Sequence, residues 1–203
     1  MQLSLSSMAE PALDGCFSRL RRTQLDAHSW LDYAPGFIAG HDCLFARLVT
    51  NMRWHQERRT MYQREVDVPR LYASAPADGA LDPVLAEVGA ALAQRYLGSL
   101  AGSAAAAPFA SVGHAHYRDG RDSVAWHRDH MPRGAATLVA ILSLGAPRRL
   151  LVRPLGGGVS RAFALGEGDL FVMGGLCQTD WEHAVPKQKS AAPRMSCVFR
   201  HVY

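Results

Sequence analysis

The feature that most restricts the fold is a series of short apolar segments that fills the second half of the chain. Gly, Pro and Asp, which favour turns, separate these segments from one another. Short apolar runs rich in β-branched and aromatic residues predict strands. Six strands are predicted, at residues 111–117, 137–144, 149–152, 161–164, 169–173 and 194–203. Their number and spacing predict a barrel or jelly roll, and hence an α+β protein that is mainly β.

The first half is predicted to carry two helices. Residues 41–56 repeat apolar side chains on one helical face. Residues 83–100 do so more clearly, with Asp82 as a cap and Pro83 at the first helical position. Residues 1–27 are polar and are predicted to be irregular.

The length and the cysteine pattern restrict the class of protein. A chain of 203 residues suits one domain, predicted to span residues 1–203. No apolar run approaches the roughly 20 residues that cross a bilayer, and no signal peptide is recognisable, so we expect neither a membrane partner nor secretion. The four cysteines form no CxxC pair, which argues against a disulfide framework or a thiolate zinc site. We expect a cytoplasmic protein and a monomer.

The positive net charge of +4 is too small to identify a partner. Basic residues cluster at Arg19, Arg21 and Arg22 and again between Arg53 and Arg70. Such clusters permit contacts with phosphates but are common on solvated surfaces of proteins that never bind nucleic acid.

The three glycines Gly156 to Gly158 are predicted to form a hairpin turn. A phosphate-binding loop would need a following Lys and helix, and the sequence offers neither at this position.

The segment WHRDH suggests a metal site. His127 and Asp129 are two residues apart, so on an extended backbone both side chains leave the same face. Two imidazoles and one carboxylate are the usual ligands of non-haem Fe(II), because they leave three positions open. His183 is the candidate for the third ligand.

An HxD pair by itself is a weak signal, because a surface turn can carry it by chance. The wider order strengthens it, since the pair precedes a β-rich stretch that contains the third histidine and two later arginines. His114, His116 and His130 are left outside the predicted site, because histidines in loops or behind the ligands outnumber extra ligands.

Arg194 and Arg200 are six residues apart in RMSCVFR, so a strand would direct both to one side, together with Ser196 and Val198. A buried guanidinium needs an anionic partner, and a dicarboxylate co-substrate would supply one. The alternative is an edge strand with solvated arginines.

These residues resemble the AlkB family of nucleic-acid dealkylating dioxygenases, in the branch of the human DNA-repair homologues. The resemblance spans most of the chain in five ordered segments: MYQREVDVPRL, HYRDGRDSVAWHRD, LVAILSLGAPRRLLVRP, LGEGDLFVMGGLCQTDWEHAVPK and RMSCVFR.

The resemblance implies a double-stranded β-helix (jelly roll) core at about residues 108–203, with N-terminal helices and a nucleotide-recognition lid at about 1–100. It implies Fe(II), 2-oxoglutarate and dioxygen as cofactors, with ascorbate as the reductant in vitro. The implied roles are as follows: His127, Asp129 and His183 bind iron; Tyr117, Arg194, Ser196 and Arg200 surround 2-oxoglutarate; Tyr62 stacks on a flipped base; and Trp126 lines the substrate pocket.

The function implied is oxidative demethylation of bases such as 1-methyladenine and 3-methylcytosine, with release of formaldehyde; both DNA and RNA are candidate substrates, and DNA is weakly favoured. The chain departs from the family pattern at Ala115, Ser196 and Val198, which thins the co-substrate contacts. It also lacks an acidic residue directly after the HxD pair, where His130 and Met131 stand.

Two other hypotheses stay open. The chain could be an Fe(II)/2-oxoglutarate oxygenase of a protein, lipid or small-molecule substrate, which the missing acid favours and the lid segment disfavours. It could also be a silent module that binds nucleic acid without turnover, which the complete set of predicted ligands disfavours.

Overall fold

The structure is a computed structural model that describes residues 9–61, 64–74, 81–97, 109, 112–132 and 134–202. The helices are α1 (His41–Asn51), α2 (Pro83–Leu97) and α3 (Cys177–Asp180). The strands are β1 (Ala12–Leu13), β2 (Arg21–Gln24), β3 (Ser29–Ala34), β4 (Ile38–Ala39), β5 (His55–Met61), β6 (Arg64–Ala73), β7 (Val112–Tyr117), β8 (Val124–His127), β9 (Thr137–Gly145), β10 (Arg148–Pro154), β11 (Arg161–Leu165), β12 (Asp169–Gly175), β13 (Trp181–Val185) and β14 (Arg194–Val202).

Two antiparallel sheets form the jelly roll. The large sheet has eight strands in the order β2-β3-β12-β9-β14-β7-β6-β5. The small sheet has four, in the order β11-β10-β13-β8. Neighbouring strands in both sheets are mostly distant in sequence, which is the arrangement of a jelly roll rather than of a simple meander. The predicted fold class is therefore confirmed.

The large sheet is buried on both faces. Along β9, Leu138 and Leu142 belong to a core beneath α1 and α2. Val139 and Ile141 belong to a second core, which contains Leu150 and other residues of the small sheet. Because successive side chains of a strand point to opposite faces, a strand buried on both sides is apolar without alternation. This explains the continuous apolar run TLVAILSLG.

All six predicted strands are present, with ends that differ by up to two residues where the chain is described. Among the strands that were not predicted are β5, β6, β8 and β13. They are short or rich in charged side chains, so their apolar pattern is weak. The glycine turn is confirmed as the connection of the β10–β11 hairpin.

The N-terminal region contains strands that were not predicted from the sequence. Residues 1–27 were expected to be irregular, but β2 pairs with β3 at the edge of the large sheet. Edge strands face solvent, so the polar sequence RRTQ is compatible with pairing. The region of residues 1–100 holds the two helices but also β1 to β6.

Both predicted helices form with shorter bounds. The first ends at Asn51 instead of residue 56, because the chain turns extended at Met52 and enters the β5–β6 hairpin. The second ends at Leu97, and residues 98–100 lie outside the described part of the chain. Within the described ranges, no helix has the length and apolar character needed to cross a membrane.

Candidate metal centre and co-substrate pocket

The three predicted metal ligands come together at one edge of the small sheet. His127 is the last residue of β8, and His183 lies opposite it on β13 as its register partner. Side chains paired across antiparallel strands lie on the same face, so the two imidazole rings approach to 4.2 Å between centroids. Asp129 lies two residues after His127, where β8 has ended.

The distances suit one metal ion. The Asp129 Oδ1 atom lies 3.7 Å from Nε2 of His127 and 3.8 Å from Nε2 of His183. One ligand atom of each residue lies within 4.8 Å of the others, and the described residues contain no second group of this kind. Two imidazoles and one carboxylate on one side of an ion form the facial arrangement typical of non-haem Fe(II).

The histidines are arranged as neutral ligands. Nδ1 of His127 lies 2.9 Å from the carbonyl oxygen of Ala125, and since a carbonyl only accepts, Nδ1–H donates and Nε2 keeps its lone pair. Burial lowers the pKa of His127 and lowers the pKa of His183 to about 4. Both rings are therefore uncharged at neutral pH and can bind a cation.

The Asp129 carboxylate is held ionised. Burial alone would raise its pKa, but electrostatic interaction with the His183 ring, together with the charge and the hydrogen bond of Arg200, lowers it overall. Arg200 Nε donates to Oδ2 of Asp129 at 2.8 Å. This contact occupies one oxygen and leaves Oδ1 directed toward the histidines.

A cavity of about 70 Å³ extends from these ligands to the large sheet. Arg194, Ser196, Val198 and Arg200 of β14 all line it, whereas Met195, Cys197 and Phe199 face the core under the helices. The prediction that the first four share a face is confirmed. The alternative of an edge strand is wrong, because β14 lies between β9 and β7.

Arg194 carries unused hydrogen-bond donors inside the protein. Its side chain is buried, and burial lowers its pKa. Nη2 donates to the Ser143 hydroxyl at 2.8 Å, while Nε and Nη1 have no partner among the described residues. The guanidinium also stands 5.4 Å from the ring centre of Tyr117. An unpaired buried cation is costly, so this position fits the carboxylate of a bound ligand.

The predicted substrate residue Trp126 is not brought into this cavity. Trp126 packs under Arg153, whose guanidinium carbon lies 3.9 Å from the indole centre, and Trp126 is not among the residues that line the cavity. Tyr62 lies outside the described residues. His116 packs against Trp54 on the helix side, and His130 is exposed, so neither joins the metal ligands.

Three further residues of the site were missed. Arg70 of β6 lines the cavity, and its buried Nη1 has no partner in the described part of the chain. Arg148 is 1% exposed and donates to the carbonyl oxygens of Asp119, Asp122 and Pro186. Gln178 accepts a hydrogen bond from the backbone of Asp129. No sequence spacing distinguishes these residues from surface Arg and Gln.

Comparison with known proteins identifies similar chains. The model of a family described as the 2OG-Fe(II) oxygenase superfamily matches residues 22–201. Alpha-ketoglutarate-dependent dioxygenase alkB homolog 3 of Mus musculus is 42% identical over 98 residues, which are 43% of this chain and 34% of that protein. The chain thus aligns with about a third of the length of that relative.

Two further comparisons extend over more of the chain. Uncharacterized protein R406 of Acanthamoeba polyphaga mimivirus is 29% identical over 149 residues, 72% of this chain and 74% of that protein. The solved structure of OsALKBH1 superposes with a TM-score of 0.59 and 13% identity, covering 89% of this chain and all of that one, and so supports the fold. The resemblance to the AlkB family is confirmed by the similarity to alkB homolog 3.

Proposed function

Because the chain belongs to the 2OG-Fe(II) oxygenase superfamily, we propose that it removes N-linked alkyl groups from bases in nucleic acid. Its cofactors are Fe(II), 2-oxoglutarate and dioxygen. The proposed substrates are bases such as 1-methyladenine and 3-methylcytosine in DNA, with RNA as the second nucleic acid to test.

One observation supports this proposal most strongly, namely that a single cavity is lined both by the metal triad and by Arg194, whose Nε and Nη1 have no partner among the described residues. A dicarboxylate can bind the metal with one end while its distal carboxylate accepts hydrogen bonds from Arg194. The donor set and the unused donors therefore fit Fe(II) together with 2-oxoglutarate.

Each residue has a proposed task. His127, Asp129 and His183 would hold Fe(II), and Arg194 would bind the distal carboxylate of 2-oxoglutarate. Arg200 keeps Asp129 oriented and ionised by its 2.8 Å hydrogen bond. Tyr117 and Ser196 complete the proposed co-substrate wall, since both line the same cavity.

Bound iron supplies the oxidising chemistry, which decarboxylates 2-oxoglutarate and hydroxylates a C–H bond of the substrate. The protein's part is to exclude water and to hold the alkyl carbon beside the open metal positions. A hydroxylated N-methyl group leaves as formaldehyde and so restores the base.

The choice of nucleic acid as substrate rests on the similarity to alkB homolog 3 and on the resemblance of the sequence to the AlkB family. A base must leave its stack to enter such a site. The proposed stacking residue, Tyr62, belongs to the connection between β5 and β6, and Arg70 of β6 reaches the cavity beside the metal ligands.

The proposal is tested by formaldehyde release. Purified protein is supplied with Fe(II), ascorbate, 2-oxoglutarate and oligonucleotides that carry one 1-methyladenine or one 3-methylcytosine. We expect formaldehyde in stoichiometric amounts with repaired base, and none from Asp129→Ala.

Consumption of 2-oxoglutarate without formaldehyde from any DNA or RNA oligonucleotide would count against the substrate while leaving the cofactors in place. The search would then move to a protein, lipid or small-molecule substrate. Absence of both reactions in a folded, Fe(II)-supplied protein would contradict the oxygenase activity itself.

A further inference from the structure

The segment that carries Asp129 has little backbone support of its own. β8 ends at His127, and residues 128–136, where described, belong to no helix or strand. β8 is also an edge strand with β13 as its only neighbour in the sheet. The position of the Asp129 carboxylate therefore depends on contacts from outside its own strand.

Arg200 of β14 holds the carboxylate itself, and the backbone of the segment is held by α3, the short helix before β13. The Gln178 side-chain oxygen Oε1 accepts a hydrogen bond from the backbone N–H of Asp129 at 2.8 Å. Arg128 Nη1 donates to the carbonyl of Thr179 at 3.1 Å, and the N–H of Gly134 donates to the Thr179 hydroxyl at 3.3 Å. One helix thus holds the segment at three points.

Gln178 is the buried member of this group. It is 6% exposed, and its Nε2 contacts only the sulfur of Met173, at 3.7 Å, among the hydrogen bonds of the described chain. A thioether is a weak acceptor, so burial of this amide is poorly compensated at one end. An apolar side chain of similar length would suit the core better, which indicates that Gln178 is needed for its Oε1 atom, the acceptor of the Asp129 N–H.

The chain continues from α3 directly into β13, which carries His183. The hydrogen bond from Asp129 to Gln178 therefore ties the carboxylate ligand to the same piece of backbone as the histidine ligand. Groups behind metal ligands orient them and raise metal affinity in this way.

We propose that Gln178 is a positioning residue that fixes Asp129 relative to His183 and thereby sets the metal affinity of the site. This proposal rests on the metal-binding role given to the triad under the proposed function. The positioning role applies to the protein without co-substrate as well as to the active enzyme, so it can be tested by metal binding without turnover.

The probe is Co(II) alone, titrated without 2-oxoglutarate and followed by its visible absorption. The variants are Gln178→Met, which keeps the length but removes the acceptor, and Gln178→Glu, which keeps an acceptor oxygen. Thr179→Val removes the neighbouring contact to Gly134 and serves as the local control. Leu48→Ala weakens the core under α1, far from the ligands, and controls for a general loss of stability.

We expect Gln178→Met to weaken Co(II) binding about tenfold to a hundredfold and to change the absorption spectrum. Gln178→Glu should bind closer to wild type than to Gln178→Met. Thr179→Val and Leu48→Ala should keep the wild-type affinity even where Leu48→Ala unfolds at lower temperature.

The outcomes separate the two proposals. Wild-type affinity in Gln178→Met, or equal weakening in the Met and Glu variants, would overturn the positioning role while the metal site stands. Equal weakening in Gln178→Met and Leu48→Ala would assign the effect to stability alone and overturn it as well. A wild-type protein that binds no Co(II) would refute the metal site, and this inference with it.

Discussion

Replacing Arg194 with Met should stabilise the ligand-free protein and abolish tight binding of 2-oxoglutarate. The two effects have opposite signs because of how the guanidinium is placed. It is buried, it makes one hydrogen bond to Ser143, and two of its nitrogens have no partner among the described residues. Without a ligand the buried charge lowers the stability of the protein, whereas with a bound dicarboxylate it becomes the main binding contact.

The magnitudes follow from that environment. Exchange of buried charged groups for apolar ones of similar volume is neutral or stabilising by about 1–4 kcal/mol. For a chain of this size each kcal/mol raises Tm by about 2–4 °C. Charge-assisted hydrogen bonds contribute about 1.5–3 kcal/mol each, so the loss of two should weaken the binding of 2-oxoglutarate by about 3–6 kcal/mol, roughly a hundredfold or more.

The assay is thermal unfolding of the Mn(II)-loaded protein in the absence of oxygen, over a series of 2-oxoglutarate concentrations. Wild type should gain Tm with the co-substrate, whereas Arg194→Met should start higher and gain almost nothing. Arg148→Met is the matched control, because the equally buried Arg148 donates to three backbone carbonyls and its loss should lower Tm. An Arg194→Met protein that is less stable than wild type yet binds 2-oxoglutarate normally would refute the reasoning.

Further predictions concern pH and stability. The pKa of His183 is about 4 in the folded protein and 6.5 in the unfolded chain, so below pH 6.5 the unfolded chain binds more protons. The free energy of unfolding of the metal-free protein should therefore fall by up to about 3 kcal/mol by pH 4. Urea titrations should show a smaller pH dependence for His183→Asn than for wild type between pH 6.5 and pH 4, and the same dependence in both would contradict the shift. Gly168 has φ +86°, and a Cβ there would meet the carbonyl oxygen of Ile38, so Gly168→Ala should cost at least about 2 kcal/mol of unfolding free energy; an unchanged urea midpoint would speak against it. Asp32→Ala removes the buried acceptor of Arg22 and of the Tyr96 hydroxyl, so it should lower the free energy of unfolding by about 2 kcal/mol or more. Tyr96→Phe should lower it less, and calorimetry that shows the reverse order would count against this explanation.

Much of the site was predictable because its residues follow one another at short, regular spacings in the sequence. The HxD pair carries two ligands two residues apart, and the alternation of a strand places Arg194 and Arg200 on one face. The shared face of Arg194 and Arg200 could be predicted from the strand alone, and the structure confirms this prediction because both residues line the cavity. The third ligand could be named only as a candidate, since nothing local joins His183 to His127.

The sequence was least informative where pairing is long-range and polar. Residues 1–27, which include β2, were expected to be irregular, and no strand was predicted for the β5–β6 hairpin, because strands at a sheet edge need no apolar alternation. Trp126 was expected at the substrate, but a position next to His127 on a strand points to the other side, where Arg153 covers it.

The amino-acid sequence by itself determined the β-rich class, the two helices and the types of residue that can bind a metal and a dicarboxylate. Only the tertiary structure decided that β13 lies beside β8, so that His183 meets His127, and that α3 reaches back to Asp129 through Gln178. It also decided that Arg194 is buried with a single side-chain hydrogen bond among the described residues, whereas Arg148 is buried with hydrogen bonds to three carbonyl oxygens. The physical reason is that local spacing fixes which side of an element a residue faces, whereas burial and hydrogen-bond partners depend on segments far away in the chain.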